Sequence, residues 1–149
     1  MYDVAKYIHI LSAVTWVGGA LYVQLLVIRA QRTDPALIGR LGPEIEFIAT
    51  RVFIPASILL FVAGLYMTAN RWAFSQTWIS IAIALWLCSV LVGSLYLGPE
   101  SKRIGQLVAA EGPASPAAGV RLARIFLISR LELVSFAVII FLMVFKPGA

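Results

Sequence analysis

The sequence predicts an all-α protein, an integral membrane bundle of four helices with both termini outside the cytoplasm. Of its 149 residues, 61% are hydrophobic and only 13% are charged, which is about half the charged share of a typical soluble domain. So few charged side chains cannot cover the surface of a water-soluble fold of this length. The mean hydropathy of +0.93 therefore favours lipid as the solvent.

The first two spans each contain a run without formal charge. Residues 7–28 form the first run, 22 residues long, which suffices to cross a hydrocarbon layer of about 30 Å. A signal peptide would end in a cleavage site with small residues, whereas this run leads into an arginine-rich segment. We therefore expect a membrane span that is retained, at about 5–28. The 19 uncharged residues of 52–70 predict a second span at about 48–70. Pro43, followed by acidic residues, is typical of a helix start ahead of it.

The third and fourth spans follow the same logic. Residues 72–99 hold 28 uncharged residues, roughly 42 Å as a helix, so the third span, at about 73–98, must tilt or protrude. The fourth, at about 125–145, carries Arg130 and Glu132 near its start and ends in an apolar stretch. Four spans are therefore expected.

Basic residues are concentrated in the two long connections, 29–47 and 99–124. The stretches 29–51 and 102–124 each contain four of them. Because lysine and arginine favour the cytoplasmic side, we expect both connections in the cytoplasm. The predicted location is the bacterial inner membrane, with residues 1–149 as one multi-pass domain. The net charge of +5 then reflects topology and attraction to membrane lipids, and does not indicate nucleic-acid binding.

Capping residues in the connections and prolines in the spans predict where helices start and bend. Asp34 as N-cap with Pro35 behind it predicts a short interfacial helix. Ser115 ahead of a proline predicts that the fourth helix starts before the bilayer. Pro55 and Pro99 should bend the second and third spans, since each removes a helical hydrogen bond.

His9 is the single histidine and lies about one turn inside the first span, where its ring must contact protein, water or a cofactor. Neutral imidazole is a good ligand for haem iron or another metal. Ser12, Trp16 and Gly19 share its helix face, where small residues admit a flat macrocycle or another helix. These four residues form a candidate cofactor site, with haem b as the candidate cofactor and His9 as its metal ligand. The alternative is simple helix packing through the same face.

A second group combines Gln24, Arg51, Arg130 and Glu132, all expected towards the cytoplasmic side. A charge inside a span is costly, so these side chains should find partners within the bundle. We expect Arg51 to pair with Glu132. The functional interpretation is an anion or proton site. The alternative is a clamp between the second and fourth helices, or side chains that reach out from a helix end to water.

Two motifs carry a family resemblance: Lys6-x-x-His9 with the following Trp16-Val17-Gly18-Gly19 and Tyr22, and Arg51-Val52-Phe53-x-Pro55. The first resembles the first helix of a bacterial four-helix membrane superfamily that includes the copper-resistance D proteins (CopD) and the membrane protoporphyrinogen oxidase HemJ. The closer resemblance is to a bacterial family of predicted integral membrane proteins of unknown function (DUF). The HemJ resemblance implies haem binding at His9, yet the lysine that this branch uses in a later span is missing from helix three.

Three functions remain open at the level of the sequence. The first is a non-catalytic membrane protein that binds haem or an apolar ligand through His9, or serves as accessory subunit of a membrane complex. The second is an oligomeric small transporter or channel using Arg51, Arg130 and Glu132, since a four-helix monomer has little room for a pore. The third is a HemJ-like protoporphyrinogen oxidase. We favour the first hypothesis, a non-catalytic protein. We expect it to contact membrane lipids and to form a homo-oligomer or belong to a larger membrane complex.

Overall fold

The fold is all-helical over the residues that the computed structural model describes, 1–34, 37–112 and 115–148. Four helical segments there are long and apolar enough to cross a membrane, which confirms the predicted fold class. The α-helices are α1 Tyr2–Thr33, α2 Leu37–Ile48, α3 Ile54–Arg71, α4 Thr77–Val92, α5 Gly98–Glu111 and α6 Pro116–Phe145. Two π-helical turns, Ala49–Phe53 and Gly93–Leu97, join α2 to α3 and α4 to α5.

The outside of the bundle is apolar and part of its inside is polar. Leu95 is 73% exposed and Val144 66%, whereas Gln24, Ser57 and Ser89 are buried. A soluble protein distributes these residue types the other way round. The helices therefore present to their surroundings the surface that a hydrocarbon layer favours.

The helices pack as two hairpins. In one hairpin α3 lies along α1, and in the other α6 lies along α4. The short helices α2 and α5 pack on each other and join the hairpins. There Gly42 permits close approach, since a Cβ at this position would lie 3.4 Å from the Ser101 carbonyl oxygen. We call this the connection end of the bundle, and the opposite end, which carries residues 1 and 148, the terminal end.

Each π turn lies directly ahead of a proline. Pro55 and Pro99 have no N–H, and in an α-helix their rings clash with the carbonyl four residues earlier. In the turns, Ile54 donates its N–H to the Ala49 carbonyl and Gly98 donates to the Gly93 carbonyl, five residues back. The wider turn makes room for the proline ring. The interruption that the sequence predicts at each proline thus takes the form of a π turn.

Of the helix starts predicted in the two connections, one is confirmed and one is wrong. Ser115 caps α6 as expected, its hydroxyl accepting from the Ala118 N–H at 3.3 Å. Helix α2, however, begins at Leu37 and is already helical at position 43, so the helix start predicted at Pro43 is wrong. Asp34 ends α1 and its carbonyl accepts from the Leu37 N–H. Pro35 lies outside the described residues.

A buried carboxylate ties α5 to α6 at the connection end. Glu100 accepts a hydrogen bond from the Arg121 guanidinium of α6 and a longer one, 3.4 Å, from Arg103 on its own helix. The side chain of Glu100 is 7% exposed, whereas those of Arg121 and Arg103 are 41% and 65% exposed. The carboxylate therefore depends on these arginines for the hydrogen bonds that water would otherwise supply.

Replacing Glu100 by alanine should lower the free energy of unfolding by about 1–3 kcal/mol, because a charged hydrogen bond between α5 and α6 is lost. Arg103→Ala should cost less than about 1 kcal/mol, since its side chain is mostly exposed. Reversible unfolding in detergent micelles, followed by the helical circular dichroism signal, measures both. Equal losses from the two variants would contradict the assignment of Glu100 to the α5–α6 junction.

Candidate functional site

Two cavities lie between the hairpins, one in each half of the bundle. The His9 cavity, at the terminal end, has a volume of 690 Å³ and a mainly apolar and aromatic wall. The Gln24 cavity, towards the connection end, has a volume of 310 Å³ and a similar apolar wall with a few polar side chains. Both volumes fall within the range of about 300–1,000 Å³ in which small-molecule sites occur.

One aromatic pair forms the partition between the cavities. Trp16 of α1 and Phe136 of α6 both line the two cavities. Their ring centroids are 4.7 Å apart with the planes tilted by 53°. Trp16, predicted as a cofactor contact, therefore lies in the wall of the His9 cavity and at the same time closes it towards the connection end.

His9 is held against α3 by one edge of its ring. Its Nδ1 lies 2.8 Å from the Leu60 carbonyl oxygen. Because a carbonyl only accepts, Nδ1 carries a proton, and in the neutral ring Nε2 then has the lone pair. The Cε1 atom packs where Gly64 lacks a side chain, since a Cβ there would lie 3.1 Å from it. With this edge turned to α3, Nε2 is the nitrogen left for the cavity that His9 lines.

The remaining wall of the His9 cavity is aromatic with cations at its terminal mouth. Trp86, which sequence reasoning missed, stacks on Phe61 at a centroid distance of 3.9 Å. Its buried indole N–H has no hydrogen-bond partner in the described ranges 1–34, 37–112 and 115–148. Lys6 and Lys146 also line the cavity, and the Lys146 Nζ lies 4.6 Å from the Trp72 ring centroid. Such a wall suits a flat apolar molecule that carries acidic groups at one edge.

The small residues of the predicted cofactor face have another role. The Phe53 ring, at the end of the first π turn, fills the space that a side chain on Gly19 would need. Ser12 is buried and lines neither cavity. Of the four residues predicted to form this site, His9 and Trp16 thus line the cavity, while Gly19 lets α3 approach α1.

Gln24 and Glu132, predicted as members of one polar cluster, do line the same cavity. Gln24 is 7% exposed, and its Nε2 has no hydrogen-bond partner among the described residues. Arg51 and Arg130 are exposed and line neither cavity. In the part of the chain that the structure describes, Glu132 has no ion-pair or hydrogen-bond partner, so the expected pair of Arg51 with Glu132 is not formed.

Glu46 of α2 is a further residue of the Gln24 cavity that sequence reasoning missed. Among the described lining residues, the charged ones are Glu46 and Glu132, and both are acidic. Apolar walls screen such groups weakly, so their field concentrates in the cavity. The signal that could have found Glu46 is the continuation of helix α2 through position 43, which places Glu46 one turn before the π turn.

The comparisons with known proteins bear on the membrane assignment. A family model described as "Predicted integral membrane protein (DUF2269)" matches residues 3–147. The chain belongs to the DUF2269 family. Curated proteins and solved structures gave no match. Membership confirms the predicted DUF membrane family and, with the four apolar helices, a multi-pass integral membrane protein. The relation to CopD and HemJ stays a prediction.

Two neighbouring glycines of this DUF2269 protein provide a matched test of the packing between α1 and α3. Gly19→Ala should destabilise the protein by about 1–3 kcal/mol, because the new methyl group collides with Phe53. Gly18→Ala should be neutral or slightly stabilising, since nothing lies within 4 Å of a Cβ there. Thermal unfolding in micelles measures the difference. A destabilisation as large for Gly18 as for Gly19 would refute the contact with Phe53.

Proposed function

We propose that this DUF2269 protein binds a flat apolar cofactor of the haem b class in the His9 cavity, where the His9 Nε2 would hold the iron. The observation that carries the proposal is the hydrogen bond from Nδ1 to the Leu60 carbonyl. Metal-ligating histidines almost always donate their other ring N–H in this way, which fixes the ring and makes the ligating nitrogen more basic. The ring of His9 is therefore prepared to ligate.

The donor set of the cavity fits such a cofactor. The aromatic and aliphatic wall suits the macrocycle, and Lys6 and Lys146 at the mouth suit its two carboxylates. The buried N–H of Trp86 supplies one further donor. Among the described residues no group of three or more histidine, cysteine, aspartate or glutamate side chains could hold a bare metal ion. An iron at His9 is thus best supplied already enclosed in a macrocycle.

Bound haem b supplies one-electron chemistry or a coordination position at its iron. The chain itself would contribute the His9 imidazole, the hydrogen bond that orients it and the exclusion of water by the aromatic wall. His9 is the single histidine of the sequence, so an iron held by two histidines would need a second chain. We accordingly propose a haem-binding membrane protein of the bacterial inner membrane, working as a homo-oligomer or as accessory subunit of a larger complex.

Both alternative functions have less support. A protoporphyrinogen oxidase of the HemJ type uses a lysine in a later span, and α4 has none. A channel or transporter lined by Arg51, Arg130 and Glu132 would need these side chains along one path, yet two of them face away from both cavities. Ligand binding at His9 is therefore the function that the geometry supports best.

The test is the visible spectrum of protein purified from haem-supplied cells. We expect a Soret band that His9→Ala abolishes, because this variant removes the ligating nitrogen. Thr15→Ala, a change on the same helix that touches neither cavity, should leave the band unchanged. Native protein without a Soret band, or a band unaltered in His9→Ala, would overturn the proposal.

A second variant separates ligation from packing. Gly64→Ala keeps the imidazole but pushes against Cε1 and Nδ1, from which the new Cβ would lie 3.1 and 3.3 Å. Because the ring must shift while its nitrogen remains, we expect bound haem with a displaced Soret maximum or a changed reduction potential. A spectrum and potential identical to those of the native protein would show that His9 does not ligate the iron.

A further inference from the structure

We infer that the Gln24 cavity is a second binding site, which takes a small organic cation with an apolar body. This site is separate from the His9 cavity, from which the Trp16 and Phe136 rings divide it. The inference is independent of haem binding. It rests on the sign of the charge in the cavity, on an unpartnered buried polar side chain and on two serine hydroxyl groups that act as acceptors.

The charge in the cavity selects a cation. Glu132 and Glu46 are the charged side chains among its described lining residues. Glu132 has no partner among the residues that the structure describes, although it lies near the middle of the apolar helix α6. A carboxylate in such surroundings is costly unless a positive charge accompanies it, and intramembrane ionisable groups of this kind mark binding sites or pathways.

Gln24 provides the second, independent observation. It is 7% exposed and lines the cavity, and within the part of the chain that the structure describes its Nε2 has no hydrogen-bond partner. Structural glutamines inside a span normally bond across a helix interface. An amide buried without such a bond costs about 1–3 kcal/mol, which a bound polar group would recover. Rotation of the amide also allows Oε1 to accept from an N–H of the ligand.

Two serine hydroxyl groups in the wall act as hydrogen-bond acceptors towards the cavity. Ser57 donates its hydroxyl proton to the Ile54 carbonyl at 2.9 Å, and Ser94 donates to the Val90 carbonyl at 2.6 Å. Both serine oxygens therefore present only lone pairs to the cavity that they line. These two acceptors favour a ligand with N–H groups.

The test is a fluorescence titration of ethidium, an aromatic cation with N–H groups, against the purified full-length protein in lipid nanodiscs. We expect saturable binding that Glu132→Gln weakens by about tenfold or more, because the counter-charge is removed. Gln24→Leu should weaken it several-fold. Arg130→Gln, two residues from Glu132 but outside the cavity, should bind as the native protein does, and so should Thr15→Ala, which touches neither cavity.

Stability separates loss of the site from loss of the fold. Glu132→Gln removes an unpartnered carboxylate from apolar surroundings, so its melting temperature should equal or exceed that of the native protein. Weaker ethidium binding in an equally stable variant supports the site. Unchanged binding in both Glu132→Gln and Gln24→Leu would overturn it. The proposal would also be overturned if Glu132→Gln weakened the binding of an apolar anion, anilinonaphthalene sulfonate, as much as it weakens the binding of ethidium, because the site would then not discriminate by charge.

Discussion

Within a hydrocarbon layer a backbone N–H or C=O finds hydrogen-bond partners only in the protein itself. This constraint accounts for the four long helices, and it explains why the two prolines produce π turns and not open loops. It also explains why small polar side chains bond to nearby carbonyls, as Thr68 does to Gly64 at 3.0 Å. The His9 ring N–H likewise bonds to a backbone carbonyl, that of Leu60. The lack of water as a hydrogen-bond partner therefore shapes the helices and also orients the candidate ligand.

The cavities follow from a difference in side-chain size between the two kinds of helix contact. Within the first hairpin, Gly19 and Gly64 let α1 and α3 approach closely, with Phe53 and His9 filling the space. Small residues of this kind drive helix association in lipid, where no hydrophobic force acts between helices. Between the hairpins, by contrast, the described contacts include paired large rings such as Phe61 on Trp86. Large rings hold helices apart, and the space beside them remains open.

Composition and charge-free runs were sufficient to predict the fold class, and single polar residues in apolar runs were sufficient to single out His9, Gln24 and Glu132. The partners of these residues could not be predicted. Whether an apolar stretch offers Phe53 to Gly19 or Trp86 to a cavity depends on how distant helices pack, and sequence spacing reports only neighbours on one helix. The expected pair of Arg51 with Glu132 is a similar case: both were expected on the same side of the membrane, but the Arg51 side chain is exposed and does not reach the cavity that Glu132 lines.

The two π turns also have a consequence for the length of the chain. A π turn holds one residue more than an α-helical turn, which rotates everything that follows by about 100° relative to an uninterrupted helix. Each π turn therefore rotates the helix face that follows it. As a result, α2 directs one face towards α5 while α3 directs a different face towards α1. Loops tolerate the deletion of a residue. In Ala49–Phe53 or Gly93–Leu97, however, a deletion would convert the π turn into an α-helical turn and rotate the following helix away from its partners. In these segments the number of residues matters to the fold as much as their identity does.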